Sequence, residues 1–329
     1  MDCGGSTDHR ITGLLARHWQ PATLTIALSA RTTVVLTSYE AGKILVESKD
    51  IGAECCAFPT LPLEGPLGLI FAVVGYFGVH GLQITVNAEA PVRSGLGGSA
   101  AVTVALIGAL NELLNLPEAS AQDLCQVVLL AHHLEDGLYD NTGLQDQAAA
   151  AYGGVHLWRW QYADQLRFEI GPPVIDPAEL ASHVVVAYSG KPHAGQRRSS
   201  FQETFRKTGN LEPLIRISAS ARAMSDALRD RDYKAAARAL SAEADTRSMF
   251  MDPTNPVRED PLLSAAYDHG CGARFAGHGG GGAVWAIGEA REIDALRSAW
   301  ARISTQRGSG FVFPPGLSPE GLRVIREDG

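Results

Sequence analysis

The sequence predicts an α+β fold built from two domains. Its 329 residues exceed the roughly 250–300 at which one hydrophobic core stops growing. Segments with the apolar spacing of helices alternate with segments rich in β-branched residues along both halves of the chain. A proline-rich stretch at residues 172–182 separates the two halves. We therefore expect one domain at residues 1–175 and a second at residues 176–329.

Composition narrows the class of protein. The 28 basic and 36 acidic residues give a net charge of -8, so no broad positive field is offered to a nucleic acid. The five cysteines include no CxxC pair, which disfavours a disulfide framework and a zinc site and indicates a cytoplasmic protein. The uncharged stretch 65–88 is long enough to span a bilayer, but its five glycines and one proline predict a buried helix followed by a strand. We expect neither a signal peptide nor a membrane partner.

The individual elements follow from local periodicity. Apolar residues at Val102, Leu106, Leu110 and Leu113 share one helical face. Ser120, with an acidic residue three positions later, has the pattern of a capping box. In chain order we predict strand 32–37, helix 67–77, strand 82–86, helix 99–114, a helix from Ser120 with Glu135 on its apolar face, a hairpin within 153–170, strand 184–188, helices around 217–228 and 233–244, and strand 283–287.

A glycine-rich loop at residues 90–101 lies between a predicted strand and a predicted helix. Glycines let the backbone approach an anion, and the first N–H groups of the helix point towards it. Ser99 lies in the first helical turn, where its hydroxyl can bind a magnesium ion, and Arg93 can reach a phosphate oxygen. These features are typical of a phosphate site. The alternative is a tight turn in which Ser99 caps the helix.

Two other phosphate motifs fit less well. A P-loop requires a lysine after its second glycine, and neither glycine run of this chain has one. Gly95, Gly97 and Ala100 satisfy a loose GxGxxA pattern, which would indicate a dinucleotide-binding oxidoreductase. That fold needs an acidic residue at the end of the next strand, whereas residues 114–118 are predicted to end a helix that another helix follows.

Three motifs together resemble the GHMP kinases, a family that includes galactokinase, homoserine kinase, mevalonate kinase and phosphomevalonate kinase. Residues 91–101 resemble the central motif, whose loop holds the phosphates of ATP. Residues 4–9 are similar to the first motif, and residues 277–283 to the third. The resemblance implies a two-domain GHMP-kinase-like fold, with an N-terminal domain like domain 2 of ribosomal protein S5 and a ferredoxin-like C-terminal domain. It also implies ATP and Mg²⁺ as cofactors.

Two carboxylates are candidates for the chemistry of phosphoryl transfer. Glu135 lies on an apolar helical face, where a carboxylate must be paired or bound to a metal, unless it rotates to solvent. Asp146 follows a glycine-bearing turn, where it can also be a helix N-cap. The resemblance implies that Glu135 and Ser99 bind magnesium and that Asp146 is the catalytic base. Residues 143–154, GLQDQAAAAYGG, resemble most the kinases of D-glycero-D-manno-heptose 7-phosphate and relatives that phosphorylate an anomeric hydroxyl.

The resemblance assigns further roles by motif. Asp8 would accept hydrogen bonds from sugar hydroxyls, or it is a turn aspartate. Lys191 and His193 would bind a sugar phosphate, or they belong to a solvated basic loop. The nucleotide-binding residues implied are Ser94, Gly95, Leu96, Gly97, Gly98, Ser99 and Ala100. The substrate-binding residues implied are Gly5, Asp8, Lys191, His193, Gly279 and Gly280.

The chain also departs from the family pattern. The resemblance implies a strand and a basic residue upstream of the first motif, but Met1 lies only seven residues before Asp8. We expect that strand and that basic group to be absent; either the given sequence starts too late, or another cation such as Arg93 substitutes. Gly98 replaces a usual serine, and Arg274 stands where many members have lysine. The role of His278, where the family usually has alanine, stays open.

The sequence therefore predicts an ATP-dependent kinase that transfers the γ-phosphate to a sugar hydroxyl, the anomeric hydroxyl of a heptose phosphate or a hexose. Its partner would be a small sugar or sugar phosphate, with no nucleic acid or membrane, and the chain would be a monomer or homodimer. The alternative is a non-catalytic sugar or nucleotide sensor on the same fold. Retention of Ser99, Glu135 and Asp146 disfavours that alternative.

Overall fold

A computed structural model of the chain describes residues 1–9, 12, 19–116, 123–139, 142–162, 166–192, 209–250, 260–277 and 281–326. Its strands are β1 (Asp2–Cys3), β2 (Ala22–Ile26), β3 (Thr32–Ser38), β4 (Lys43–Ser48), β5 (Gly52–Ala57), β6 (Leu82–Ala88), β7 (Val155–Tyr162), β8 (Leu166–Ile170), β9 (Val184–Tyr188), β10 (Gly272–Phe275), β11 (Ala283–Ile287) and β12 (Phe311–Val312). Its α-helices are α1 (Gly68–Phe77), α2 (Gly98–Leu113), α3 (Leu124–Tyr139), α4 (Gln145–Tyr152), α5 (Pro177–Leu180), α6 (Glu212–Arg229), α7 (Tyr233–Phe250), α8 (Pro261–Asp268) and α9 (Ala290–Arg307).

The chain forms two compact units, and neither is a continuous segment. Unit I comprises residues 1–29, 93–96 and 154–319, and unit II comprises residues 30–92, 97–153 and 320–329. The chain passes from one unit to the other several times, twice within the glycine loop, after Val92 and after Leu96. The two domains expected at residues 1–175 and 176–329 stay a prediction.

Unit II is a four-stranded sheet covered by helices. Its strand order is β3-β6-β4-β5, in which β4 and β6 are parallel and the other pairs antiparallel. Val46 pairs with Ile84 across the parallel strands, and both side chains are buried. Helix α2 contacts α1, α3, α4 and β3. Because α2 lies at the centre of these contacts, packing fixes its N-terminus, which continues the glycine loop.

Unit I contains two antiparallel sheets joined by a pair of helices. The first sheet has the order β1-β2-β7-β8, and the second has the order β10-β11-β9-β12. Helix α6 contacts β2 and β7, α7 contacts β10 and β11, and the two helices contact each other. From β9 onward the elements follow the order strand, helices, two strands, helix, strand. This is the β-α-β-β-α-β order of a ferredoxin-like domain, as predicted.

Most of the elements predicted from the sequence are confirmed. The predicted strands at 184–188 and 283–287 have the observed bounds, and the uncharged stretch forms α1 and β6. The predicted helix start at Ser120 lies outside the described residues. The expectation that no strand precedes the first motif is wrong, because Asp2 and Cys3 pair with Thr25 and Leu24 of β2. No described helix has both the length and the apolar character needed to cross a membrane.

Two tryptophans of β7 form hydrogen bonds to β2 in the first sheet of unit I. The indole Nε1 of Trp158 donates to Thr25 Oγ1 at 2.7 Å, and that of Trp160 donates to Thr23 Oγ1 at 2.9 Å. The two indole rings stack with centroids 5.9 Å apart. All four side chains are buried, so each indole N–H depends on a protein acceptor. The threonines of β2 therefore satisfy the polar atoms of this aromatic pair.

We predict that Thr25→Val lowers the free energy of unfolding by about 1–3 kcal/mol, since it removes the buried hydroxyl that accepts from the indole N–H of Trp158. Urea denaturation of the purified variant measures this change. Thr37→Val is the matched control, because Thr37 is exposed on β3 and its replacement should cost under about 0.5 kcal/mol. Equal stability of the two variants would contradict the role given to the Thr25 hydroxyl.

Candidate active site

The glycine loop has a sharply bent backbone. Arg93, Gly95 and Gly97 have φ angles of 59°, 76° and 73°, in the left-handed region that side chains with a Cβ rarely adopt. Gly97 is the residue immediately before α2, with ψ of 31°. Arg93 is a non-glycine residue in this strained region, a feature that clusters at binding sites. When residues of positive φ alternate with residues of negative φ, as they do here, successive backbone N–H groups point towards one concave side, where an anion can bind.

The N-terminus of α2 offers the donors for such an anion. An α-helix leaves its first N–H groups without partners within the helix, and its dipole places positive charge at that end. Within α2, the first closing bond runs from Ala101 N to Gly97 O at 3.0 Å. A Cβ added at Gly98 would meet no atom within 4 Å. The space over this turn is therefore open to a phosphate group.

A chain of hydrogen bonds joins the first turn of α2 to α3 and α4. Ser99 Oγ donates to Glu135 Oε1 at 2.7 Å, and Gln147 Nε2 donates to Glu135 Oε2 at 2.6 Å. Glu135 and Gln147 are buried, whereas Ser99 is exposed. Both oxygens of the Glu135 carboxylate are thus held by side chains from two other helices, which fixes its orientation towards Ser99.

Asp146 lies against the glycine loop from the first turn of α4. A Cβ added at Gly97 would stand 3.1 Å from Asp146 Cγ, so the carboxyl group packs directly on the loop backbone. The side chain of Asp146 remains exposed. The structure therefore brings Ser99, Glu135 and Asp146, all predicted from the sequence, together at the N-terminus of α2 within unit II.

Supporting contacts that the sequence analysis missed hold this arrangement. Asp136 Oδ1 accepts from the Thr142 N at 2.7 Å and from its Oγ1 at 3.3 Å, which ties the end of α3 to the start of α4. Thr103 Oγ1 donates to the Ser99 carbonyl at 2.9 Å. Gln147 was also missed, although it adjoins Asp146. Its signal was its position directly before the run of alanines at residues 148–151, which predicts burial.

The donor atoms at this position suit a magnesium ion. A hydroxyl and a carboxylate are the hard oxygen ligands that Mg²⁺ prefers. In the part of the chain that the structure describes, no group of three or more His, Cys, Asp or Glu side chains is placed to hold a metal. A cation at Ser99 and Glu135 would therefore complete its coordination with phosphate and water oxygens, as Mg²⁺ commonly does.

In unit I, the end of the third glycine run contacts two of the predicted residues through the backbone. Ala283 N donates to Ser94 O at 2.6 Å, and Gly282 N donates to Lys191 O at 2.8 Å. Ser94 is buried, and the side chain of Lys191 is exposed. The predicted residues His193, Gly279 and Gly280, and also His278, lie outside the described residues.

The first motif is buried and strongly hydrogen-bonded. Asp8 is 1% exposed. Thr7 Oγ1 donates to the carbonyls of Gly4 at 2.8 Å and Ala22 at 3.1 Å. The Gly5 carbonyl accepts from Arg247 Nη2 at 2.8 Å. The motif is thus held against β2 and by the guanidinium group of Arg247, which lies on α7.

That cation belongs to a buried group of charges, the ionic cluster, which consists of Asp2, Glu243, Arg247 and Arg274. Burial acts to raise the pKa of the Asp2 carboxyl, but the facing guanidinium groups of Arg274 and Arg247 outweigh it and lower that pKa. The sequence analysis missed this cluster. Its signal was present, because Glu243 and Arg247 continue the apolar face of α7 at helical spacing from Leu240.

Known proteins with similar sequences are kinases. Residues 68–154 match the family described as the GHMP kinases N terminal domain. The mevalonate kinase of Thermococcus sibiricus is 25% identical over 91% of this chain and 90% of its own length. The D-glycero-alpha-D-manno-heptose 7-phosphate kinase of Campylobacter jejuni is 25% identical over 98% of this chain and 95% of its own length.

Solved structures share the fold. A D-glycero-D-manno-heptose 1-phosphate kinase from Bacteriodes thetaiotaomicron has a TM-score of 0.73 at 20% identity, covering 98% of this chain and 96% of its own. Galactokinase of Lactococcus lactis, complexed with galactose, has a TM-score of 0.73 at 19% identity, covering 97% and 91%.

Residues 68–154 are thus similar to the N-terminal domain of the GHMP kinases. The predicted resemblance to the GHMP kinases and to their α+β fold is confirmed. The comparisons support an ATP-dependent kinase that acts on a small molecule.

We predict that Gly97→Ala lowers the free energy of unfolding by about 1–2 kcal/mol, because an L side chain at this φ is strained and its Cβ presses on Asp146. Chemical denaturation provides the measurement. The adjacent Gly98→Ala is the control, since its Cβ enters open space and should change stability by under about 0.5 kcal/mol. Wild-type stability of both variants would contradict the left-handed backbone conformation described for Gly97.

Proposed function

We propose that this protein is an ATP-dependent kinase that transfers the γ-phosphate to a hydroxyl of a sugar or sugar phosphate, with the anomeric hydroxyl of a heptose phosphate or a hexose as the favoured acceptor. One observation carries the proposal. At the N-terminus of α2, a hydroxyl bonded to a buried carboxylate (Ser99 to Glu135, 2.7 Å) lies beside a second, exposed carboxylate, Asp146, that packs on the loop.

The loop residues Ser94, Gly95, Leu96, Gly97, Gly98, Ser99 and Ala100 bind the phosphates of ATP in this proposal. Their backbone N–H groups and the positive end of α2 stabilise negative charge without any rearrangement. The open space above Gly98 supports an approach of the phosphates to this turn. Transfer of a phosphoryl group depends mainly on such positioning and charge stabilisation.

Ser99 and Glu135 hold Mg²⁺ in this proposal. When bound, the ion neutralises charge on the nucleotide phosphates. The chain itself orients the Glu135 carboxylate. Gln147 binds the far oxygen of Glu135, so the near oxygen stays directed to Ser99 when the serine hydroxyl exchanges its hydrogen bond for another partner.

Asp146 is the proposed catalytic base. Its exposed carboxylate accepts the proton of the acceptor hydroxyl, while the hydroxyl oxygen forms a bond to the γ-phosphorus and the bond to the ADP oxygen breaks in line. The products are ADP, the phosphorylated acceptor and a proton. Arg93 supplies a positive charge that stabilises the phosphoryl group during transfer.

The acceptor is bound by the first motif, the third glycine run and the loop that follows β9. A buried carboxylate such as Asp8 accepts hydrogen bonds from paired sugar hydroxyls strongly. The remaining residues assigned to this role are Gly5, Lys191, His193, Gly279 and Gly280. The resemblance of residues 143–154 to the heptose 7-phosphate kinases supports a sugar acceptor. The five unpaired cysteines support a cytoplasmic location.

We predict ADP release with at least one compound of an acceptor panel that contains D-glycero-D-manno-heptose 7-phosphate, other heptoses and hexoses, their phosphates, and mevalonate. Asp146→Asn should reduce kcat by about 10²–10⁴-fold, the usual contribution of a general base, with little change in ATP binding. A coupled ADP assay and calorimetric titration with ATP measure the two effects.

Asp232→Asn is the matched control, because Asp232 also stands at the start of a helix, where it caps Ala235 N at 2.8 Å and where asparagine caps equally well. Its kcat should equal that of the wild type. Full turnover by Asp146→Asn would remove Asp146 from the role of base. ATP and sugar binding without any ADP release by the wild type would favour the alternative of a non-catalytic sensor.

A further inference from the structure

The ionic cluster is centred on Glu243 of α7. Its Oε1 accepts from Arg247 Nη2 at 2.6 Å, from Arg247 Nε at 3.2 Å and from Arg274 Nη1 at 2.9 Å. Arg274 Nη1 also donates to Asp2 Oδ2 at 2.9 Å. One carboxylate oxygen thus holds two guanidinium groups, and a second carboxylate balances the charge.

Other donors of the two arginines bind the first and third motifs. Arg247 donates through Nη2 to Gly5 O at 2.8 Å and through Nη1 to Ser6 Oγ at 3.3 Å. Arg274 donates through Nη2 to Gly277 O at 2.5 Å. Gly5 and Ser6 precede Asp8 in the first motif, and Gly277 begins the third. All these residues belong to unit I.

The four charged side chains are almost completely excluded from water. Glu243 and Arg274 are 0% and 2% exposed, and Asp2 and Arg247 are 5% and 7% exposed. Buried ion pairs contribute little net stability, because desolvation cancels most of the attraction, and packed apolar residues often serve equally well. Stability alone therefore does not account for four charges at this place. The directed hydrogen bonds to the two motifs do account for them.

We propose that the ionic cluster positions the acceptor-binding residues, with Glu243 orienting Arg247 towards the first motif and Arg274 towards the third. The inference rests on the proposed function, in which Asp8 and the third glycine run bind the acceptor. Arg247 and Arg274 are positioning residues, since they act through the backbone of the motifs. The cluster sets the affinity for the acceptor. Its hydrogen bonds described above go to the first and third motifs rather than to the nucleotide-binding residues 97–100 of unit II.

The geometry requires arginine at position 247. The guanidinium group serves Glu243 Oε1, Gly5 O and Ser6 Oγ at once through a planar fork of donors. A lysine keeps the positive charge but has a single nitrogen on a flexible stem. Arg247→Lys therefore preserves the charge balance of the cluster while removing its contacts to the first motif.

The test compares Arg247→Lys with Arg216→Lys. Arg216 also pairs with a glutamate four residues earlier in its helix, Glu212, but on the exposed surface of α6. The first measurement is amide hydrogen exchange of the free protein in peptides covering residues 1–9 and 272–277. The second is the KM for ATP and for the panel compound that gives the highest ADP release with the wild type. Glu243→Gln, examined in the same way, tests the centre of the cluster.

Arg247→Lys should speed exchange in residues 1–9 by about tenfold and should raise the KM for the acceptor by about tenfold or more. The KM for ATP should stay within about twofold of the wild type. Arg216→Lys should match the wild type in all three measurements. Glu243→Gln should add faster exchange in residues 272–277, because both guanidinium groups lose part of their support.

Wild-type exchange and KM values in Arg247→Lys would overturn the inference. An equal rise in both KM values would also overturn it, since general loosening of the fold does not discriminate between the substrates. If the wild type releases no ADP with any compound, the proposed function fails. The exchange measurement on the free protein then decides by itself whether the cluster fixes the first motif.

Discussion

The hydrogen bond from the Ser99 hydroxyl to the buried carboxylate of Glu135 is the interaction on which the site of unit II depends. It joins the first turn of α2 to α3, and the bond from Gln147 to the same carboxylate adds α4. Because α4 begins one residue before Asp146, this chain of bonds also fixes the distance of that carboxylate from the glycine loop. Three helices thus converge on the few atoms that face the open turn at Gly98.

Unit I uses a different physical principle to organise its motifs. The backbone there is held by guanidinium donors from a neutral group of four buried charges, rather than by side chains that would themselves react. Charge-assisted bonds of this kind are short and directional. The attraction between opposite charges within the cluster offsets the free energy of their desolvation. Rigid placement of Gly5 and Gly277 follows from this arrangement.

Much of the fold and of the site of unit II could be predicted from the sequence. Glycines 95 and 97 ahead of an apolar helical stripe indicated the loop, and Glu135 on an apolar face indicated a paired carboxylate. Strands β1, β2, β4, β5, β10 and β12 were missed, because pairing across the sheet, rather than local composition, determines them. Partners such as Gln147 and Arg274 were missed for a related reason. Their contacts join residues far apart in the chain, and spacing carries no information about such contacts.

The most direct test is a crystal structure of the protein with Mg²⁺ and a non-hydrolysable ATP analogue. The account predicts the metal bound by the Ser99 hydroxyl and the Glu135 carboxylate, the phosphates against the N–H groups of residues 97–100, and the γ-phosphate facing Asp146. A nucleotide bound elsewhere, or a metal held by neither Ser99 nor Glu135, would contradict it.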